Sequence, residues 1–94
     1  MGLDLTVMVE SDVHRNDKDQ LEWTTTMIAN LRNCWEYMNA LGLQNCTTRA
    51  FSGKELNDTL AGLEDNPEDL GEAQQIRDTI TFEDDKTYLL HAWF

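Results

Sequence analysis

Apolar and polar residues alternate almost from the start of this chain. Leu3, Leu5, Val7 and Val9 fall on one side of the alternation; Asp4, Thr6, Met8 and Glu10 fall on the other. A period of two is the mark of a half-buried strand, so a strand is predicted over 3–10. Residues 11–17 are polar and turn-prone and read as a loop. From 18 to 41 the spacing changes. Leu21, Ile28, Leu31, Trp35 and Met38 recur at three- and four-residue steps, and Trp23, Met27, Cys34 and Leu41 widen the stripe. That period predicts a long amphipathic helix, roughly 36 Å from end to end. Asn16 or Asp17 is placed to cap its start, and Gly42 followed by Leu43 to end it. Thr24-Thr25-Thr26 is a poor helical stretch by propensity, so packing would have to hold that turn.

Residues 44–51 show no period and read as an irregular connector. Ser52 followed three residues later by Glu55 is a capping box, with Phe51 and Leu56 in hydrophobic-staple positions. A helix is predicted over 53–65, with Leu56, Leu60 and Leu63 as its stripe. Asn66 and Pro67 then stand as N-cap and first residue of a third helix over about 67–78. The end of the chain reverts to strand character. Thr79–Phe82 and Thr87–Phe94, separated by Glu83-Asp84-Asp85-Lys86, predict a hairpin. Tyr88, Leu90, Ala92 and Phe94 would share one face of the last strand; Leu89, His91 and Trp93 would share the other. Both faces are fairly apolar, which makes this strand central, or covered by helix on one side and a partner on the other. The expected fold is a single α+β domain over 1–94, in the order β-α-α-α-β-β. Helices lie on one face of a small antiparallel sheet built from the N-terminal strand and the C-terminal hairpin, with first and last strands paired.

Ninety-four residues hold one domain with one modest core. Hydrophobic residues make up 40%, too many for a fully disordered chain. Charge narrows the function classes further. Asp+Glu is 18 and Lys+Arg is 7, a formal net charge of −11. Such a chain lacks the basic footprint needed to meet nucleic-acid phosphates or an anionic membrane. The charge is also uneven. Residues 1–50 carry seven acids against four bases, and residues 51–94 eleven acids against three bases, all eleven between Glu55 and Asp85. The plain consequence is a solvated acidic face that keeps the protein soluble. The sharper consequence is a docking surface for a basic protein partner. Glu64, Asp65, Glu68, Asp69, Glu72, Glu83, Asp84 and Asp85 would supply its field, and Trp93 or Phe94 an apolar anchor. Nucleic-acid mimicry is a special form of this reading. The ligand order of a calcium-binding EF-hand loop is absent from the acid runs.

No motif for nucleotide binding or nucleophilic catalysis occurs. His14 lies in a polar loop and His91 on the last strand; their spacing implies no pairing, and a strand histidine is ordinarily a packing or surface residue. Cys34, Cys46, His14 and His91 lack the short spacings of zinc sites. Two cysteines twelve apart read as free, partly buried thiols of a reducing compartment, and Cys34 in an apolar stripe as unreactive. No enzyme activity, cofactor or metal is expected. No basic start precedes an apolar run, and no apolar run reaches membrane-spanning length, so the expected location is the cytoplasm.

The opening Met1-Gly2-Leu3-Asp4-Leu5, the segment Leu31-Arg32-Asn33-Cys34-Trp35 and the closing Tyr88-Leu89-Leu90-His91-Ala92-Trp93 resemble small uncharacterised bacteriophage proteins, which also open Met-Gly-Leu-Asp and close on an aromatic-Trp strand. The resemblance covers about a third of the chain, leaves out its acidic middle, and carries no catalytic residue. It implies a phage or prophage origin and the cytoplasm of a host cell. In size and acidity the chain is also similar to anti-CRISPR and anti-restriction inhibitors. The leading expectation is therefore a non-enzymatic inhibitor that binds a basic surface of a host defence complex, such as one that handles nucleic acid. Two alternatives stand beside it. One is a homodimer that uses Trp23, Met27, Trp35 and Met38; the other is a small-ligand-binding protein or small enzyme.

Overall fold

The computed structural model describes residues 2–15 and 17–94, with side chains described except at 10–15 and 21–25. Seven elements follow one another: β1 (Asp4–Arg15), β2 (Leu21–Arg32), α1 (Trp35–Leu41), β3 (Thr47–Ser52), α2 (Gly53–Glu64), α3 (Leu70–Thr79) and β4 (Thr87–Trp93). The four strands form one antiparallel sheet in the order β2-β1-β4-β3. The fold is α+β. The first and last strands pair at its centre, and the three helices pack on one face.

That placement follows from the alternation. Leu3, Leu5 and Val7 share a single buried core with Tyr88, Leu90 and Ala92 of β4. Against them pack Tyr37 and Met38 of α1, Leu56, Leu60 and Leu63 of α2, and Ala73 and Ile76 of α3. The Tyr37 hydroxyl donates to the Leu56 carbonyl (2.9 Å), so the one phenol in this layer is satisfied. Gly42 ends α1 in the left-handed region (φ 71°). Its N–H bonds Asn39 and the Leu43 N–H bonds Met38, which is a Schellman end.

Residues 11–15, expected as part of a loop, continue β1, because its pairing with β2 runs on to Arg15↔Leu21. Three further expectations are corrected. The helix expected over 18–41 is strand β2 followed by the short helix α1. Threonine and tryptophan in Trp23-Thr24-Thr25-Thr26 favour extended backbone, and β1 offers them a partner along the whole length of a hairpin. The junction is Asn33, at φ +57°, which exchanges hydrogen bonds with Leu3 through its own N–H (2.8 Å) and its Oδ1 (3.0 Å). Asn16, expected as a cap, lies outside the described residues. Secondly, the connector expected over 44–51 contains β3. Among its six residues only Phe51 is buried, so it carries no alternation; its state comes from pairing with β4. Thirdly, 79–82 is not a strand. One edge of β4 is taken by β1 and the other by β3, so none is left for it. Phe82 instead meets Tyr88 edge to face (5.1 Å), and the Tyr88 hydroxyl accepts the Glu83 N–H (2.9 Å).

The capping box holds, because Ser52 Oγ accepts the Glu55 N–H at 3.1 Å. Asn66 caps a turn rather than a helix, its Oδ1 accepting the Glu68 N–H (3.1 Å), and α3 begins only at Leu70.

Pairing of β1 with β4 stops at Met8↔Leu89, whereas pairing with β2 runs on to Arg15↔Leu21. Residues 9–15 and 21–26 therefore form a two-stranded ribbon beyond the sheet. It draws the molecule out to 52 × 31 × 20 Å, with a radius of gyration of 14.5 Å. No helix among the described residues is long and apolar enough to cross a membrane.

Candidate functional site

The sequence-selected acids lie on the helical side, at the two ends of α2. Asp65 closes the helix and Glu64 precedes it; Glu68 and Asp69 fill the turn that follows, and Glu72 sits in the first turn of α3. At the other end, the loop that carries Glu83, Asp84 and Asp85 is tied to the start of α2. Asn57 Nδ2 donates to the Phe82 carbonyl (2.9 Å) and to Asp84 Oδ1 (2.7 Å), and the Gly53 N–H donates to the Lys86 carbonyl (2.7 Å). Position 53 has to be glycine, since a Cβ there would overlap the Glu83 carbonyl. From Asn57 to Asp65 is roughly 12 Å of helix axis, so both acid groups and the exposed Asp58 belong to one surface.

These acids are not equivalent. Glu64 Oε1 accepts from Arg77 Nη2 (2.6 Å) and Nε (3.0 Å), and this bond raises the Arg77 pKa. Glu83 pairs with Lys86. Glu72 is half-buried, and its Oε2 accepts the Tyr37 N–H at 2.7 Å. It caps the start of α1, which has no side-chain cap of its own. Burial pushes its pKa up, N–H donors of Tyr37 and Glu36 pull the other way, and the Glu36 and Asp69 charges add to the rise. Asp58, Asp65, Glu68 and Asp85 are exposed and make no ion pair among the described residues. Asp69 is half-buried, at the N-cap position of α3, and makes no capping bond there.

Trp93 does not join the acids. It alternates with buried Ala92, so it stands on the helix-free face of the sheet, 66% exposed. Phe94 packs edge-on against Trp35 (5.0 Å). The helix-free face is organised in rows across the strands. Trp93 pairs with Asp4 and Asp4 with Arg32, whose Nε lies 3.4 Å from Asp4 Oδ1. The next row is Thr48, His91, Thr6 and Asn30. Here Thr48 Oγ1 and His91 Nδ1 are 2.7 Å apart, the Thr6 hydroxyl donates to Asn30 Oδ1 (3.3 Å), and Asn30 Nδ2 donates to Asp4 Oδ1 (3.1 Å). The third row is apolar: Ala50, Leu89, Met8 and Met27. Met27 is 63% exposed, and Ile28 beside it, at a register shift in the β1–β2 pairing, is 45% exposed. Where β1 parts from β4, Val9, Lys86, Thr87 and Leu89 line an open cleft of about 430 Å³.

The sequence pattern does not reveal this apolar row, because Met8 falls on the polar side of the β1 alternation and Met27 fits a helical stripe. Of the residues expected to form a homodimer, Met38 is buried in the core and Trp35 is half-buried. The side chain of Trp23, like that of His14, lies outside the described ones.

Cys34 is buried, its Sγ 3.5 Å from the Arg32 carbonyl. Burial first, and the Glu72 charge second, raise its pKa to about 11, so it stays a thiol. Cys46 is exposed, and both cysteines are free. No group of three or more His, Cys, Asp or Glu able to hold a metal ion occurs among the described residues. Comparison with family models, with curated proteins and with solved structures finds no match.

Proposed function

We propose that this protein is a non-enzymatic binding protein of phage type, whose acidic helical layer docks on a basic surface of a host defence complex that handles nucleic acid. The observation that carries this reading is the set Asp58, Asp65, Glu68 and Asp85: exposed carboxylates that make no ion pair among the described residues, while the neighbouring cations Arg77 and Lys86 are engaged by Glu64 and Glu83 and Lys54 offsets only part of the remaining charge. An uncompensated field of this kind accelerates encounter with a cationic surface and disfavours anionic competitors. Along α2 and its cap the acids not held by a cation are Glu55, Asp58 and Asp65. Over an axis of about 18 Å this is roughly one charge per 6 Å, sparser than the ~1.7 Å of a duplex. The spacing favours simple electrostatic docking over close imitation of phosphates. Glu64 and Glu72 serve the fold, and Trp93 lies on another face, so none of the three belongs to the docking set.

The test is affinity capture from a bacterial lysate at low and high salt, with wild type beside a variant carrying Asp65→Lys and Glu68→Lys. The wild type is expected to retain a nucleic-acid-handling complex that salt elutes. The double reversal is expected to weaken retention about tenfold at low salt and progressively less as salt screens the field. Equal retention of wild type and variant at low salt overturns the reading.

A further inference from the structure

The sheet ends in two edge strands, β2 and β3, and they differ. The β1–β2 pairing carries two register shifts, one of them beside Ile28, and a bulged edge resists a further strand. β3 runs against β4 from Thr47 to Ser52 with no shift, and it carries no Pro, Lys or acid. Its one charge, Arg49, turns back over the Phe51 ring (5.0 Å) and donates to the carbonyls of Leu41 (3.4 Å) and Gly42 (3.3 Å). None of the usual guards of a sheet edge therefore stands on it. We infer that the outer edge of β3 pairs antiparallel with β3 of a second copy of this chain, Ala50 opposite Ala50, joining the two sheets into one.

The phase of the ladder fixes which backbone groups are available. The Gly53 N–H donates to the Lys86 carbonyl (2.7 Å) and so continues the register Ser52↔Thr87. Bonding residues alternate along an antiparallel ladder. Phe51 and Arg49 thus bond to β4, and the N–H groups of Thr48, Ala50 and Ser52 point outward, where no strand of the described residues takes them. Thr48, Arg49 and Ala50 are exposed, so this edge is uncovered. Symmetry then selects the register. In a two-fold antiparallel pair one residue lies opposite its own copy. The middle of β3 falls between Arg49 and Ala50. Arg49 on the axis would oppose two guanidinium groups, and like charges directly opposite destabilise a pair. Ala50 on the axis opposes the smallest side chain to itself. Thr48 then exchanges bonds with the partner's Ser52, and Arg49 stands across from the partner's Phe51.

Charge favours a second copy. The chain has no acid from Tyr37 to Lys54, its longest such run, and none in β4. A basic protein has nothing to hold along this stretch, whereas a copy of net charge −11 meets here the acid-free part of the molecule that carries Arg49. The two ends of β3 are unlike. Beyond Ser52 come Lys54 and Glu55, and the bond from Gly53 to Lys86 brings in the loop with Glu83, Asp84 and Asp85. Before Thr48 the residues are uncharged back to Tyr37. Antiparallel pairing sets each acidic end against the other copy's acid-free end. The two acidic ends stay about 14 Å apart along the strands, beyond a Debye length of ~8 Å. Only a copy of this chain brings the same phase and the complementary ends together. A strand edge of roughly 20 Å by 10 Å is well short of ~800 Å² per partner, so the dissociation constant is expected to be on the order of 100 µM.

This inference is independent of the acidic docking surface. It concerns the purified chain alone, and Asp65 lies at the opposite end of α2 from Ser52. The experiment is sedimentation equilibrium of the full chain from about 10 µM to 1 mM, with Ala50→Pro, Ala50→Glu and Ala50→Lys, each checked for folding by circular dichroism. The Ala50 side chain is exposed and its N–H points away from β4, so proline there removes no bond within the chain. Should Ala50→Pro fail to fold, the two charge variants decide. Wild type is expected to approach twice 10.8 kDa at the highest concentration. Each variant alone is expected to weaken association about tenfold or more, proline by blocking the ladder and each charge by meeting its own copy. An equimolar mixture of Ala50→Glu and Ala50→Lys is expected to recover the dimer. A wild type that stays at 10.8 kDa throughout overturns the inference. So does a dimer that the folded Ala50 variants leave intact, or a mixture of the two charge variants that associates no better than either alone.

Discussion

Glu72 shows how one carboxylate in an acidic run differs from its neighbours. Its charge sits at the start of α1, where it accepts the Tyr37 N–H, and it is half-buried. Its pKa is raised, with burial the largest cause. The native state therefore binds this proton more tightly than the unfolded chain does. Between the unfolded glutamate value, about 4.3, and the higher native value, the native state holds more protons, so stability falls as pH rises through that interval. Urea unfolding of wild type and Glu72→Gln across this range is expected to show the fall in wild type and its loss in the variant. Parallel pH profiles would refute the assignment. Burial of this kind cannot be read from a one-dimensional acid cluster; it depends on α1 and α3 meeting, which follows from the tertiary fold.

At the scale of elements, the junction between β2 and α1 turns on Asn33. A left-handed residue with a short polar side chain is needed there, because the chain leaves the sheet and must return at once over its face. Asn33 also completes the pairing of Leu3 through two hydrogen bonds. Asn33→Ala is expected to cost about 2 kcal/mol, combining a lost bond to a partly buried N–H with left-handed strain; a change within a few tenths in chemical denaturation would show that the junction is held elsewhere. The sequence signals that worked were local and chemical. Ser52 and Glu55 marked the start of α2, Gly42 and Leu43 the end of α1, and the 3–10 alternation the inner half of β1. The signals that failed were periodic. Leu21, Ile28, Leu31 and Trp35 match a helical stripe, yet they divide between a strand and a helix because a register shift beside Ile28 breaks the strand's own period of two.

Over the whole molecule, the sheet separates a helical side that holds most of the acid excess from a helix-free side where, within the four-strand block, Asp4 lies against Arg32. Self-repulsion among the acids opposes compaction. Added sodium chloride is accordingly expected to raise the melting temperature by a few degrees, an effect on the order of 1 kcal/mol for a domain of this length. A thermal scan in which the midpoint is indifferent to salt would show that the acids are already well solvated and far apart.

Composition and order along the chain already determined a good deal: an α+β fold, an acid excess heaviest between Glu55 and Asp85, a terminal strand apolar on both faces, the glycine end of α1 and the capped start of α2. These depend on residues within a few positions of one another, where propensity and capping act. Only the tertiary structure decided that 21–32 is a strand, that β3 rather than 79–82 borders β4, that Glu64 and Glu72 serve the fold, and that Trp93 faces away from the acids. Each is a competition between distant segments for one sheet edge or one face of the core, and its outcome depends on which pairing buries more apolar surface while satisfying the backbone.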